Sequence, residues 1–378
     1  MQTERLLKLY KDLIRIPSVV GEEEEVAAFL ADHLTAAGFE VQVHRYGEEA
    51  RPNVVARLKG EEAGPKILLS GHLDTVPVHD GWETDPFQPV EEGDRVYGLG
   101  ACDMKGGLAA MIEAARSLAE SGEAFRGEII LGFTSDEEGR SEGTYSLIQD
   151  GLIEADMAVV GECRFNPMVL GFRGRYSLDI EVRGEVAHAS EYPLKGENAL
   201  INAARLAIGL EELPVGEHPA MGKGSACLRY FSGGEPRVLK VPDYCKLLYE
   251  RYVVPGESQE QIWEQVQKLV SALGLAGKVS VSWSKRKGPF LEGFAVSEDE
   301  EIVRAAAAAF QEVTGEKPGY GYDPSVCDAN YISQLMKIPV LTFGPSGANW
   351  HAPNEYGLKS QVIAAAQVYL GMLQRLLT

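Results

Sequence analysis

Cysteine is scarce: five residues, Cys102, Cys163, Cys227, Cys245 and Cys327, odd in number and without a CxxC pair. This argues against a disulfide framework and against a thiolate zinc site, and leaves the cysteines as small buried side chains. Positive charge is short as well. Lys plus Arg number 36 against 56 Asp plus Glu, a formal net charge of −20, so the surface repels phosphate backbones and anionic lipid. Nucleic acid is therefore not expected as a partner. No apolar run reaches the roughly 18 residues of a spanning helix. The stretch MQTERLLKLYKDLIRI is amphipathic rather than a basic segment followed by an apolar one. No membrane partner is expected, and the protein is read as soluble and cytoplasmic. Repeats and low-complexity linkers are also lacking, and the alanine run 305–309 reads as a helix core.

What is present is an ordinary globular composition, 45% hydrophobic and 24% charged over 378 residues, a length at which two domains are the default. Helical spacing of Leu6, Leu7, Tyr10, Leu13 and Ile14 and the segment EEEEVAAFLADHLTAA predict two helices. FEVQVHRY, NVVARLKG and KILLSG predict strands, the last a continuous apolar run of the kind buried on both faces. MKGGLAAMIEAARSLAESG, GEIILGFTS, GTYSLIQDGL and ADMAVVG continue helix, strand, helix, strand, an α/β sandwich rhythm with some parallel sheet. After about residue 170 the style changes to an alternating strand, YSLDIEVRGEVAH, and a small α+β module. The first style returns near residue 288, so the principal layer is predicted to be discontinuous, with 1–172 and 287–378 flanking an insert at 173–286.

Four apolar strands each break into a side chain of a type that can bind a metal. ILLSG leads into His72, IILGFTS into Asp136, Glu137 and Glu138, MAVVG into Glu162, and VLTFG, after a short loop, into His351. Loops leaving the carboxyl ends of strands in an open α/β sheet share one crevice. Imidazoles and carboxylates together suit zinc, manganese or cobalt. If the strand persists through 72–74, its period of two places His72 and Asp74 on one side, where the carboxylate orients the ring. Asp103, in the glycine-rich turn GLGACDMKGG, is either a helix cap or a carboxylate bridging two metals. The structural alternatives are a satisfied loop histidine at His72, a solvated acidic face at 136–138, a surface acid at Glu162 and a loop residue at His351.

In that order, SGHLDTVP, YGLGACDMKGG, TSDEEG, GECR and WHAPNEY resemble the signature of the co-catalytic zinc amidohydrolases that include acetylornithine deacetylase, succinyl-diaminopimelate desuccinylase, aminoacylase and glutamate carboxypeptidase. WETDPFQPV and VAHASEYPLKGENAL extend the likeness over most of the chain. The resemblance implies a zinc-peptidase-like three-layer α/β/α catalytic domain with an inserted α+β lid and dimerisation domain. It implies two divalent ions, Zn2+ first and Co2+ or Mn2+ as alternatives. His72 and Glu162 would hold one, Glu138 and His351 the other, and Asp103 would bridge them. Glu137 would be the base, Asp74 the orienter of His72, and His188 a residue reaching the partner subunit's site in a homodimer. Arg173, with Arg175 as its rival, and Asn198 would contact substrate. The implied reaction is hydrolysis of the amide bond of an N-acyl amino acid or short peptide. A metallo-carboxypeptidase or dipeptidase is the alternative, and a non-catalytic metal-binding protein the reading from another class.

The likeness weakens in the insert. Leu239 stands three residues before Pro242 where many relatives carry asparagine, and Glu250-Arg251-Tyr252 replaces an Asp-x-Arg pattern. Arg251 is thereby displaced by one position, which on a strand sends a side chain to the other face unless a bulge compensates.

Overall fold

The computed structural model describes all 378 residues. They divide into two units: Met1–Gly171 with Ala295–Tyr322 and Cys327–Thr378, and Phe172–Phe294 with Asp323–Val326. The smaller unit thus runs past the sequence boundary at 286 and takes in a short later segment. No helix is long and apolar enough to cross a membrane.

The larger unit is built on a nine-stranded mixed sheet in the order Glu40–Tyr46, Arg51–Lys59, Arg126–Thr134, Glu62–His72, Met157–Val160, Val340–Thr342, Met168–Phe172 and Phe294–Ala295, with Tyr320–Asp323 also paired to Met168–Phe172. Arg126–Thr134, Glu62–His72, Met157–Val160 and Val340–Thr342 are mutually parallel. These strands are apolar without alternation and buried over their carboxyl-terminal halves, as strands covered on both faces are. Register matters most here. His72 pairs Thr134, Ser70 pairs Val160 and Val160 pairs Thr342, so the carboxyl ends finish at one level. Helices Thr3–Arg15, Lys105–Glu120, Glu301–Thr314 and Lys359–Leu377 pack together as one layer, while Glu24–Ala36 and Glu142–Gln149 pack against the antiparallel strands.

Lys105–Glu120 is buried along nearly its whole length, and its small residues allow close approach to the sheet. At Gly107 a Cβ would lie 2.1 Å from the Gly161 carbonyl oxygen, so only glycine lets this helix start so near the strand end preceding Glu162. Gly100, at φ +77, turns the chain just before Asp103 in a region that L side chains avoid.

The smaller unit has a four-stranded antiparallel sheet, Ser225–Gly233, Tyr244–Val253, Gly174–Arg183 and Val279–Trp283. Tyr176, Leu178, Ile180 and Val182 alternate into its own core with residues of helices Ala199–Glu211 and Gln259–Ala272. Ser258 and Gln261 form a capping box on the second helix. Strand Ser225–Gly233 was not evident from the sequence; its residues are mostly exposed, so it carries no strong apolar alternation.

Candidate metal centre

His72 is the last residue of its strand and is buried. Its Nδ1 lies 2.8 Å from the Asp74 backbone oxygen, and its Nε2 lies 3.1 Å from Asp103 Oδ1 and 3.8 Å from Glu162 Oε1. A carbonyl can only accept, so in the neutral ring Nδ1 carries the proton and Nε2 presents a lone pair to the carboxylates. The other Asp103 oxygen, Oδ2, lies 3.4 Å from His351 Nε2, and that nitrogen is 2.9 Å from Glu138 Oε1. One carboxylate therefore sits between two imidazoles, with a second acid beside each ring. Donor atoms of His72, Asp103 and Glu138, and of His72, Glu137 and Glu162, lie within 4.8 Å of one another.

The electrostatics of this cluster follow from burying many acids together. Burial, then Asp103, pushes Glu162 up to about 8. Burial, then Glu162, raises Glu137 well above its ordinary value. Burial opposes a charge on His72, but Asp103, Glu162 and Glu137 outweigh it and raise the ring's pKa well above normal. Hydrogen bonds donated to the Asp103 and Glu138 carboxylates lift His351 to about 10. Burial opposes ionisation of Asp103, yet His351 and His72 hold it below the usual carboxylate range. Acids that repel one another and two imidazoles that hold protons only because of them form a donor set suited to divalent cations, which would relieve the repulsion. The residues fit such ions.

The structure corrects the expected role of Asp74. Its carboxylate does not meet the His72 ring. It accepts from the backbone N–H groups of Glu137, at 3.2 Å, and Glu138, at 3.0 Å. The strand ends at His72, so the period of two does not extend to residue 74, and the backbone oxygen of Asp74 takes the ring while its side chain turns to the neighbouring loop. Burial pushes the Asp74 carboxyl up to about 7.

Other residues of this neighbourhood were not recognised in the sequence. Glu355, four positions after His351, is buried, and its carboxylate accepts from the backbone N–H of Gly100 at 3.0 Å, Cys102 at 2.7 Å and Asp103 at 2.9 Å. Burial pushes it up to about 7. The sequence carried no signal for this contact beyond an acid within WHAPNEY, because the turn it caps lies more than 250 residues earlier in the chain. Asn53 bridges Ser135 N and the Gly143 oxygen at 3.0 and 3.1 Å, and Asp328 Oδ2 accepts from Thr134 Oγ1 at 2.7 Å.

The remaining expected site residues belong to the smaller unit. His188 is exposed, and its Nδ1 accepts from Ser190 N at 3.3 Å, with Ser190 Oγ at 2.8 Å. The neutral ring then carries its proton on Nε2, as a donor. Asn198 caps helix Ala199–Glu211, its Oδ1 accepting from Leu200 N and Ile201 N. Arg173 Nη1 donates to Ser225 Oγ at 3.2 Å. Arg251 is fully buried, donating from Nη2 to the Pro214 oxygen at 2.9 Å and pairing with Glu257 Oε1 at 3.1 Å. On its strand Arg251 therefore faces the interior of its own unit.

Residues 68–375 match the profile of peptidase family M20/M25/M40. A succinyl-diaminopimelate desuccinylase of Gluconacetobacter diazotrophicus is 31% identical over 392 aligned positions, covering 98% of this chain and 97% of that protein. Among solved structures, aminopeptidase PepT of Bacillus cereus superposes with a TM-score of 0.82 at 22% identity, covering 100% of this chain and 99% of that one. A Bacillus subtilis protein described as a dinuclear metal-binding peptidase of the M20 family gives 0.73 at 18% identity, with 98% and 96% coverage. At those identities the structural likeness concerns the fold alone. Matched over most of its length, with the whole strand-end cluster inside the matched range, this chain belongs to peptidase family M20/M25/M40.

Proposed function

We propose that this chain is a two-metal hydrolase that cleaves the amide bond of an N-acyl amino acid, with N-succinyl amino acids as the first substrates to try. The full-length relatives named succinyl-diaminopimelate desuccinylase support that choice. The single observation that carries the reading is the Asp103 carboxylate lying between the His72 and His351 nitrogens. His72 and Glu162 would hold one ion, His351 and Glu138 the other, and Asp103 both; zinc is the proposed metal, with cobalt or manganese as substitutes. When bound, such ions supply Lewis acidity, lowering the pKa of water and polarising a carbonyl.

The protein residues divide the remaining tasks. Glu137 takes a proton from the attacking water and delivers it to the leaving amine nitrogen. Asp74 holds the amides of Glu137 and Glu138, and its backbone oxygen fixes the His72 tautomer. His188, its Nδ1 occupied, offers Nε2–H to a developing oxyanion in a partner subunit's site. Arg173 would take a substrate carboxylate, and Asn198 would lie at the substrate-facing end of the helix it caps. The homodimer this requires is supported by apolar side chains exposed on the smaller unit, among them Leu194, Ile208, Tyr230, Phe231 and Leu239, and by the edge position of strand Ser225–Gly233.

The test is a turnover screen of zinc- and cobalt-loaded protein against N-succinyl and N-acetyl amino acids beside dipeptides. Cleavage of acylated amino acids over dipeptides supports the proposal. Preference for dipeptides replaces it with a peptidase, and no turnover of any class overturns it.

A further inference from the structure

We propose that Arg51 is a positioning residue for Glu137 and Glu138: by clamping Asp136 against Glu23, it fixes the left-handed turn from which both acids are aimed at the cluster. This rests on the role of Glu137 proposed above. Asp136 lies at φ +72, a region in which aspartate is tolerated but seldom held without compensation. Its backbone oxygen accepts from Gly139, Arg140 and Ser141 N–H, closing a tight loop. A Cβ at Gly139 would lie 2.4 Å from Asp136 Oδ1, so the chain folds directly over this carboxylate. Oδ2 accepts from the first amide of helix Glu142–Gln149 at 3.2 Å, and Oδ1 accepts from Arg51 Nη1 at 2.6 Å.

The opposite edge of the guanidinium holds Glu23. Arg51 Nη2 bonds to Glu23 Oε1 and Nε to Oε2 at 3.4 Å, and Glu23 Oε1 also takes the Gly21 N–H at 2.7 Å. Both acids are buried, with side chains 0% and 8% exposed. One planar cation thus ties the segment before helix Glu24–Ala36, the start of strand Arg51–Lys59 and the acidic loop. A guanidinium presents fixed, coplanar donors on two edges to two carboxylates, whereas an ammonium's three donors set no such planar geometry between them. Asp74 grips the next two amides from the other side. The loop is therefore clamped at Asp136 and at its Glu137 and Glu138 amides, and releasing one clamp lets the two acids swing from His72, Glu162 and His351. Misplacement of a reacting group by about an ångström can cost on the order of 10²-fold in rate.

The test uses the full chain loaded with zinc for kinetics on an N-succinyl amino acid, and with cobalt for visible absorption. Arg51→Gln should lower kcat by roughly 10- to 100-fold with KM and zinc content unchanged, and should alter the cobalt bands because Glu138 moves with the turn. Arg51→Lys should recover part of the loss. Arg57→Gln breaks a comparable pair on the same strand, to Glu128 at 3.0 Å, and should alter thermal stability alone. If Arg51→Gln does not fold, Asp136→Asn, which keeps an acceptor for the Glu142 amide, should show the same kcat and cobalt changes. Wild-type kcat and cobalt spectrum in these variants, or a kcat loss that only tracks lost zinc, would overturn the inference. A Glu137→Gln variant measured alongside separates the two readings: full turnover there defeats the Glu137 role, whereas a dead Glu137→Gln beside a normal Arg51→Gln defeats only this one. Should the substrate not be turned over, the cobalt spectra decide.

Discussion

Three backbone N–H groups of the turn entering Asp103 converge on the buried carboxylate of Glu355. A glutamine there must turn its amide nitrogen toward at least one of those donors, so Glu355→Gln is expected to weaken metal binding roughly 10- to 100-fold, as loss of an outer partner of a ligand commonly does. Competition against a chromogenic chelator measures it; unchanged affinity would mean the turn supports itself. Glu137→Gln should keep its metals and lose roughly 10²-fold or more in turnover, checked by elemental analysis and steady-state kinetics on one preparation. At this scale His72, Glu137, Glu138 and Glu162, which the structure brings together, were legible as candidate ligands or base because each follows a buried apolar run, an unusual position for a solvated polar side chain. Asp74 and Glu355 were misread or missed for a common reason. Their partners are backbone amides brought near by tertiary folding, and a single sequence marks no amide as needing an acceptor.

Among the elements, parallel strands were readable from continuous apolar runs such as KILLSG, and amphipathic helices from 3.6-residue spacing. The edge strand Ser225–Gly233 was not, since its exposed faces bury too little to impose a pattern. Register, which brings the strand ends level, comes from packing and could not be read in advance. Element packing makes its own predictions. Gly107→Ala would drive a methyl into the Gly161 carbonyl and is expected to cost about 1–3 kcal/mol or more, visible as a lower Tm. Glu91 joins the first and last helices through Lys11 and Lys359, each at 2.7 Å, and Lys11 and then Lys359 hold its carboxyl down at about 2. A depressed carboxylate stabilises the fold above its unfolded pKa, near 4.5, and loses that contribution as pH falls toward 2. The Tm difference between wild type and Glu91→Gln should therefore be present at pH 6 and shrink through that window; a constant difference would contradict the ion-pair account.

At the level of the whole molecule, the larger unit is assembled from chain segments on both sides of the insert, so His72 and His351 meet only when residues far apart in sequence have folded together. The change in strand style near residue 170 and its reversal near 288 made the interruption legible. The exact joins at Phe172 and Phe294, and the return of Asp323–Val326 to the smaller unit, depend on contacts that carry no local signature. If the smaller unit's exposed apolar residues form the dimer, light scattering should give twice the chain mass, and Ile208→Lys with Leu239→Lys should give the single-chain mass without altering metal content. Everything proposed about chemistry depends on two cations sharing Asp103. The most direct measurement is elemental analysis of protein equilibrated with zinc and freed of excess metal: two zinc ions per chain in the wild type and fewer than one in Asp103→Ala are expected. One ion or none in the wild type, or two retained by Asp103→Ala, would contradict it.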